Sequence, residues 1–176
     1  MIDFSQDYFA LFGLPRRYRF DGARLEAAYR SLQREIHPDR HAAAGEAERR
    51  LALQSSAHVN EAYRALQDPV ERARYLLSLH GIDALGETDT TLRRDFLQQE
   101  LERRETIGDA EAARDAPRLA ALLDGVRADI AKAQDALGEQ LDGDQGFGLA
   151  RNTVRELRFL SKVAADIEAA LSDLDD

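Results

Sequence analysis

Hydrophobic positions recur at helical spacing along most of the chain, and no stretch shows the alternating period of a β-strand. A short apolar stretch, for which Ser5 or Asp7 can serve as N-cap, runs through Phe12 and ends at Gly13. Three further helices are predicted before residue 81: Asp21 to Ile36, Glu46 to Gln67, and Val70 to Leu79. Asp68 is expected to cap the last of these, with Glu71 closing a capping box.

The first long helix has one apolar stripe, formed by Leu25, Ala28, Tyr29, Leu32 and Ile36. Its opposite face carries arginines, which are typical of a solvated surface. Because the connection to the helix at Glu46 is short, the two helices are expected to form an antiparallel hairpin.

Periodicity is lost between residues 81 and 90, where glycines and an Asp/Thr cluster predict a linker between a domain at 1–80 and a domain at 91–176. Three longer helices follow: one from Thr90 or Thr91 to about Ile107, one from near Pro117 through Leu141, and one ending near Leu174. The prediction is an all-α protein, with the hairpin and its short flanking helices followed by an antiparallel three-helix bundle.

The helix at 90–107 has two apolar faces rather than one. With Leu92 at zero and about 100° per residue, Phe96 and Ile107 fall near 40° and 60°, whereas Leu97 and Leu101 fall near 140° and 180°. Polar residues border these leucines: Gln98, Glu102 and Glu105. A leucine pair with a polar rim suggests a docking patch, although packing of the leucines against the first domain is an open alternative.

On the last helix, the ring of Phe159 is also expected to point away from the core-facing side, because it lies about 110° from the centre of that helix's aliphatic stripe. A neighbouring helix of the bundle could cover it.

Composition is that of an ordinary globular protein, with 176 residues, 44% hydrophobic and 32% charged. The chain has no cysteine, which excludes disulfides and cysteine-ligated metal centres. It has no apolar run long enough to cross a membrane, and its first residues lack a basic leader. We therefore expect a cytoplasmic protein without a membrane partner.

Charge is divided unevenly. Residues 1–80 carry 12 basic and 11 acidic residues, net +1, whereas residues 81–176 carry 12 and 22, net −10. The strongly acidic second part argues against nucleic acid as a partner.

The tripeptide His37-Pro38-Asp39 lies between the two hairpin helices. Because proline disfavours the α conformation in the preceding residue, His37 is expected to leave the helix and the three side chains to sit at the hairpin tip. With His41, this turn could be imagined as a metal site, but it lacks further ligand spacing, and no metal or other cofactor is expected. An enzyme using His37 and Asp39 as acid and base would need a concave pocket here, whereas a docking tip would be convex.

The first part of the sequence resembles a J-domain. The resemblance rests on ordered sets of residues: Asp7-Tyr8-Phe9 with Phe12-Gly13-Leu14, Tyr29-Arg30-Ser31-Leu32, His37-Pro38-Asp39-Arg40, and Asn60-Glu61-Ala62-Tyr63 through Asp68-Pro69. Further sets extend it over nearly the whole chain to the HscB family, the co-chaperones of iron–sulfur cluster assembly. These are Tyr75 through Gly81, Phe96-Leu97, and Val154 through Leu160.

That resemblance implies a non-enzymatic co-chaperone with two partners. The first is an HscA-type ATPase chaperone, engaged by His37, Pro38 and Asp39 with help from Tyr29, Arg30 and Arg40. The second is an IscU-type scaffold protein, bound by Leu97, Leu101, Glu102, Glu105 and Phe159.

Two departures from the family pattern affect these expectations. Ser31 and Glu35 stand where J-domains commonly have basic residues, which suits a dedicated chaperone. Gln98 stands where the family can have methionine, so the apolar part of the patch is expected to be smaller. The alternative function is a J-domain co-chaperone for other clients, with a second domain that is not specific for a scaffold.

Overall fold

The computed structural model describes residues 3–36, 45–86, 92–143 and 146–175, and every regular element in these ranges is an α-helix. The helices are α1 (Tyr8–Leu11), α2 (Gly22–Ile36), α3 (Glu46–Gln67), α4 (Pro69–Ser78), α5 (Arg94–Ala112), α6 (Ala116–Asp142) and α7 (Phe147–Asp175). The all-α prediction is confirmed. The contacts divide the chain into two compact units, Met1–Leu76 and Leu77–Asp176. The linker assigned to residues 81–90 stays a prediction.

Aspartates begin three of the helices, as the sequence indicates. The side chains of Asp7, Asp21 and Asp68 accept backbone N–H bonds from the first turns of α1, α2 and α4, each at 2.9 Å. The prediction that Glu71 closes a capping box at α4 is wrong. The backbone N–H of Asp68 donates to the Arg64 carbonyl, and Glu71 pairs instead with Arg74 at 2.6 Å.

The hairpin of α2 and α3 is antiparallel, as two cross-helix pairs show. Tyr29 stacks on Tyr63, with ring centroids 4.0 Å apart, while Gln33 donates to Asn60 at 2.6 Å. Moving forward along α2 therefore means moving backward along α3. Below these contacts, Leu25 and the α3 residues Val59, Ala62 and Leu66 are buried in the core of the first unit.

The start and end of α5 differ from the prediction. Its N-cap is Arg93, which makes no side-chain capping bond, so the expected cap at Thr90 or Thr91 is wrong; both threonines lie outside the described residues. The helix also continues through Gly108 to Ala112 instead of ending near Ile107. Glycine weakens a helix by only about 1 kcal/mol, and burial of Ile107 and Ala110 outweighs this. The cap of the next helix is Asp115, which accepts from Arg118 N at 3.0 Å.

The second unit is a three-helix bundle in which α5 and α7 run in the same direction. Arg93 pairs with Glu156 and Phe96 with Phe159, so positions advance together along both helices. Its core combines residues from all three helices: Phe96, Ile107, Ala110, Leu119, Leu123, Val126, Leu160, Val163, Ala164 and Ile167. No helix in the described ranges is long and apolar enough to cross a membrane.

The segment before α5 is tied to α7 by two arginines. Arg151 Nε donates to the Asp83 carbonyl at 3.2 Å, and Arg155 Nε donates to the Ala84 carbonyl at 2.8 Å. Ala84 is fully buried. Residues 83–86 therefore form one edge of the second unit next to α7.

Candidate functional site

The hairpin tip lies outside the described residues, since these omit 37–44. His37, Pro38, Asp39, Arg40 and His41 belong to that segment, and their roles stay predictions. The structure does give the two helices that flank the tip, α2 ending at Ile36 and α3 beginning at Glu46, as the sequence predicts.

Tyr29 and Arg30 differ in how much of each side chain is available to a partner. The hydroxyl of Tyr29 donates to Asn60 Oδ1 at 2.8 Å, and its ring stacks on Tyr63. Tyr29 therefore also holds α2 against α3. Arg30 is exposed and pairs with Glu26 one turn earlier, a surface ion pair worth little energy.

On α5, the two apolar faces separate as the helical wheel predicts. Phe96 and Ile107 are buried, whereas Leu97 and Leu101 are 47% and 62% exposed. Glu102 and Glu105 are exposed as well. The outward orientation of the leucine pair is therefore confirmed, while its role in binding stays a prediction.

Phe159 is half-buried, and two α5 residues contact it. Phe96 meets it edge to face, with centroids 5.7 Å apart and planes at 83°. The guanidinium of Arg104 lies 5.9 Å from the ring centroid, within reach of a cation–π interaction. Packing in the bundle thus covers one side of Phe159.

Arg104 is a neighbour of the patch that sequence reasoning missed. It follows Leu97 by seven residues and Leu101 by three, so all three lie on one side of α5. The helical wheel could have identified Arg104 as a neighbour of the patch, because it places Arg104 at about 120° and Leu97 near 140°. Around α5, Arg104 is followed by the two leucines and then by Glu105 and Glu102. Phe159 on α7 adjoins the Arg104 end of this series. We call this set the docking face.

A buried ion network behind the docking face was also missed. Glu100 is only 3% exposed and accepts from Arg103 at 2.6 Å, and Arg103 also bonds Asp129 on α6. The second carboxylate oxygen of Glu100 is buried, and it has no hydrogen-bond partner among the described residues. Because Glu100 falls beside Phe96 on the wheel, its burial followed from the same spacing.

The network shifts two pKa values in opposite directions. Burial raises the pKa of Glu100, and the nearby Arg103 offsets this only in part. Burial also acts to raise the pKa of Asp129, but hydrogen bonds and charge attraction from Lys132 and Arg103 outweigh it and lower the value. The ion pair between Arg103 and Asp129 therefore ties α5 to α6. Burial beside it destabilises the ionised form of Glu100.

The arrangement has the features of a binding surface. The exposed leucines and the half-buried aromatic ring can serve as apolar anchors for a protein partner. The carboxylates at the rim favour a partner with basic residues. Among the described residues, no group of three or more His, Asp or Glu side chains is placed to hold a metal ion. The docking face itself carries no acid–base pair buried in a pocket.

Two family models match the chain. One, described as the DnaJ domain, covers residues 7–75, and the other, described as the HSCB C-terminal oligomerisation domain, covers residues 92–168. The docking face on α5 and Phe159 fall within the second match.

Similar full-length proteins are known. A co-chaperone protein HscB homolog from Cupriavidus taiwanensis is 46% identical over 172 residues, which cover 98% of this chain and 97% of that protein. One from Burkholderia multivorans is 44% identical and covers 99% of each. Among solved structures, the chaperone HscB from Vibrio cholerae has a TM-score of 0.85 at 35% identity, covering 96% of this chain and 99% of that one. The human co-chaperone protein HscB has a TM-score of 0.88 at 30% identity, covering 96% and 83%.

Proposed function

This chain belongs to the HscB family of J-domain co-chaperones, and from that membership we propose that it links two proteins of iron–sulfur cluster assembly. In this proposal, it delivers an IscU-type scaffold protein to an HscA-type chaperone and stimulates the ATPase of that chaperone. It is non-enzymatic itself and acts in the cytoplasm.

The observation that carries the scaffold half of the proposal is the exposure of Leu97 and Leu101 on the side of α5 from which Arg104 reaches Phe159. Exposed leucines in a contiguous patch with a polar rim are typical of a protein interface. Glu102 and Glu105 at the edge favour a partner with basic residues next to its apolar contact. The patch on α5 spans nine residues, from Leu97 to Glu105, which suits a small number of strong anchors.

The chaperone half rests on the J-domain match and on the geometry of α2 and α3. Contacts of Tyr29 on α2 with Asn60 and Tyr63 on α3 hold the two helices together. In the sequence, the segment that contains His37-Pro38-Asp39 lies between these helices. The two helices that precede and follow that segment in the sequence are therefore held in a fixed pairing. The exposed Arg30 adds a positive charge for an acidic chaperone surface.

Coupling follows from having both sites in one chain. Scaffold bound to the second unit is brought to the chaperone whenever the J-domain docks, which raises its effective concentration there. Asp39 then biases the chaperone toward ATP hydrolysis and the state that holds substrate tightly. The co-chaperone supplies contacts only, and the chaperone performs the hydrolysis.

The test is a steady-state ATPase assay of the HscA-type chaperone with this protein and the scaffold added separately and together. We expect a larger stimulation by the two together than the sum of the separate effects. Asp39→Asn keeps the shape but removes the charge, so stimulation should be lost while scaffold affinity, measured by calorimetry, stays unchanged. Full stimulation by Asp39→Asn would overturn the mechanism.

The alternative is a J-domain co-chaperone for other clients, whose second unit is not specific for a scaffold. It differs in one measurable respect: the chaperone would still be stimulated, but scaffold would add nothing and would not bind this chain in calorimetry.

A further inference from the structure

A concave surface next to Phe159 is lined by residues other than the leucine pair. It has a volume of about 250 Å³, and its apolar walls are formed by Leu85, Leu92 and Phe159. Three cationic side chains complete it: Arg155, Arg158 and Lys162. Sites for whole small molecules usually enclose roughly 300–1,000 Å³. This groove is therefore of a size for one large side chain.

The cations are arranged along one side of α7. Arg155, Arg158, Phe159 and Lys162 follow a spacing of three, four and seven residues, which places them together on the helix surface. Arg155 is buried and holds the wall of the groove through its bond to the Ala84 carbonyl. Arg158 and Lys162 are exposed, and neither forms an ion pair within the described ranges.

The groove and the docking face have opposite charge. Among the described residues that line the groove none is acidic, whereas Glu102 and Glu105 border the leucines. The part of the chain from residue 81 onward has a net charge of −10. Because charges are screened beyond about 8 Å at physiological salt, Arg158 and Lys162, which line the groove, contribute more to its potential than this overall net charge does.

We propose that this groove is a second docking pocket for the scaffold protein, and that it takes an apolar side chain lying next to a carboxylate. The proposal rests on the scaffold-binding function proposed above, because Phe159 belongs to both surfaces. A scaffold seated on both would present a basic side toward Glu102 and Glu105 and an acidic side toward Arg158 and Lys162. This difference in charge between two surfaces that share Phe159 fixes the orientation of the scaffold as well as its affinity.

The test is isothermal titration calorimetry of the full chain with the IscU-type scaffold. Lys162→Glu and Arg158→Glu should each weaken binding about tenfold, because an attraction becomes a repulsion. The matched control is Arg118→Glu, which makes the same change of charge at an exposed position in the first turn of α6, where an acid is compatible with the helix. Its affinity should stay within about twofold of the original, as expected for a remote surface charge.

Two further measurements separate charge from folding. The milder Lys162→Gln and Arg158→Gln variants should weaken binding less than the glutamates do, and circular dichroism melts show whether each variant is folded. Raising the salt concentration should narrow the difference between Lys162→Glu and the original chain. A difference that does not change with salt would contradict a direct role for the cation.

The outcomes distinguish this inference from the function on which it rests. If the original chain binds scaffold and Leu97→Ala weakens that binding, but Lys162→Glu behaves like Arg118→Glu, the groove proposal is wrong and the proposed function stands. If the original chain does not bind scaffold, the proposed function itself fails. If Lys162→Glu only changes the molar mass seen by light scattering, the groove contacts a second copy of this chain instead.

Discussion

The ring of Phe159 on α7 meets the ring of Phe96 on α5 edge to face, with centroids 5.7 Å apart. Phe96 is buried in the bundle core, whereas Phe159 is only half-buried. The contact therefore places an aromatic ring at the border between the core and the docking face. Arg104, on the side of α5 that carries Leu97, lies 5.9 Å from the centroid of the same ring.

The leucine pair offers the cleanest test of the docking face. Leu97→Ala and Leu101→Ala should each weaken scaffold binding by about 1–3 kcal/mol if they are interface anchors. Because Leu97 is about half exposed and Leu101 more than half, each change should alter the free energy of unfolding by no more than about 0.5 kcal/mol. Calorimetric titration and urea unfolding measure the two quantities. Leu149→Ala is the control, since that leucine is 56% exposed in the same unit, outside the docking face; equal losses for it and Leu97→Ala would contradict the assignment.

The acidic rim should act mainly on the rate of association. Glu102→Lys and Glu105→Lys are expected to slow scaffold association by severalfold at low salt, because rim charges steer diffusional encounter. Stopped-flow fluorescence at several salt concentrations measures this rate, and the difference should shrink as salt rises. Glu111→Lys reverses another exposed acid on α5 and serves as the control. Rates that are insensitive to salt for all three variants would refute steering by the rim.

In the first unit, Asn60 is expected to be a main stabiliser of the hairpin. It accepts from Tyr29 at 2.8 Å and from Gln33 at 2.6 Å, so Asn60→Ala leaves two partly buried donors unpaired. We expect a loss of about 1–3 kcal/mol in the free energy of unfolding, measured in urea, and a smaller loss of about 1 kcal/mol for Tyr29→Phe. Gln54→Ala, at an exposed position of the same helix, should change little. A similar result for Asn60→Ala would show that these bonds contribute nothing.

Acidification should affect Glu100 and Asp129 in opposite ways. Because the pKa of Glu100 is raised on folding, by burial above all, the native state binds its proton first. Its stabilising contribution is complete below the unfolded pKa and is lost as pH rises through the folded pKa. The free energy of unfolding of the original chain, relative to Glu100→Gln, should therefore increase as pH falls from 7 toward about 4.

The lowered pKa of Asp129 gives the opposite sign. Its contribution is present above the unfolded pKa and is lost as pH falls through the folded pKa, because the native state must then accept a proton it binds weakly. The advantage of the original chain over Asp129→Asn should shrink on acidification. Urea unfolding at a series of pH values tests both, with the exposed Glu111→Gln as reference. Parallel curves for the two variants would show that the network does not shift these groups.

Much of the fold follows from short-range rules in the sequence. Asp7, Asp21 and Asp68 begin helices where the cap pattern indicates, because a carboxylate can satisfy free N–H groups within its own turn. The wheel also gives the exposure of Leu97 and Leu101, because side-chain direction on a helix depends only on residue spacing. The end of α5 was less predictable, since glycine propensity at Gly108 was overruled by burial of Ile107 and Ala110.

The sequence by itself determined the helices, the outward leucine pair and the place of His37-Pro38-Asp39 in the chain between α2 and α3, because each depends on residues close together in the chain. Only the tertiary structure decided what stands next to the leucine pair. It places Phe159 against Phe96 and Arg104, buries Glu100 with Arg103 and Asp129, and forms the groove at Lys162. Those neighbours come from different helices, and the packing of large side chains in a shared core sets which of them meet.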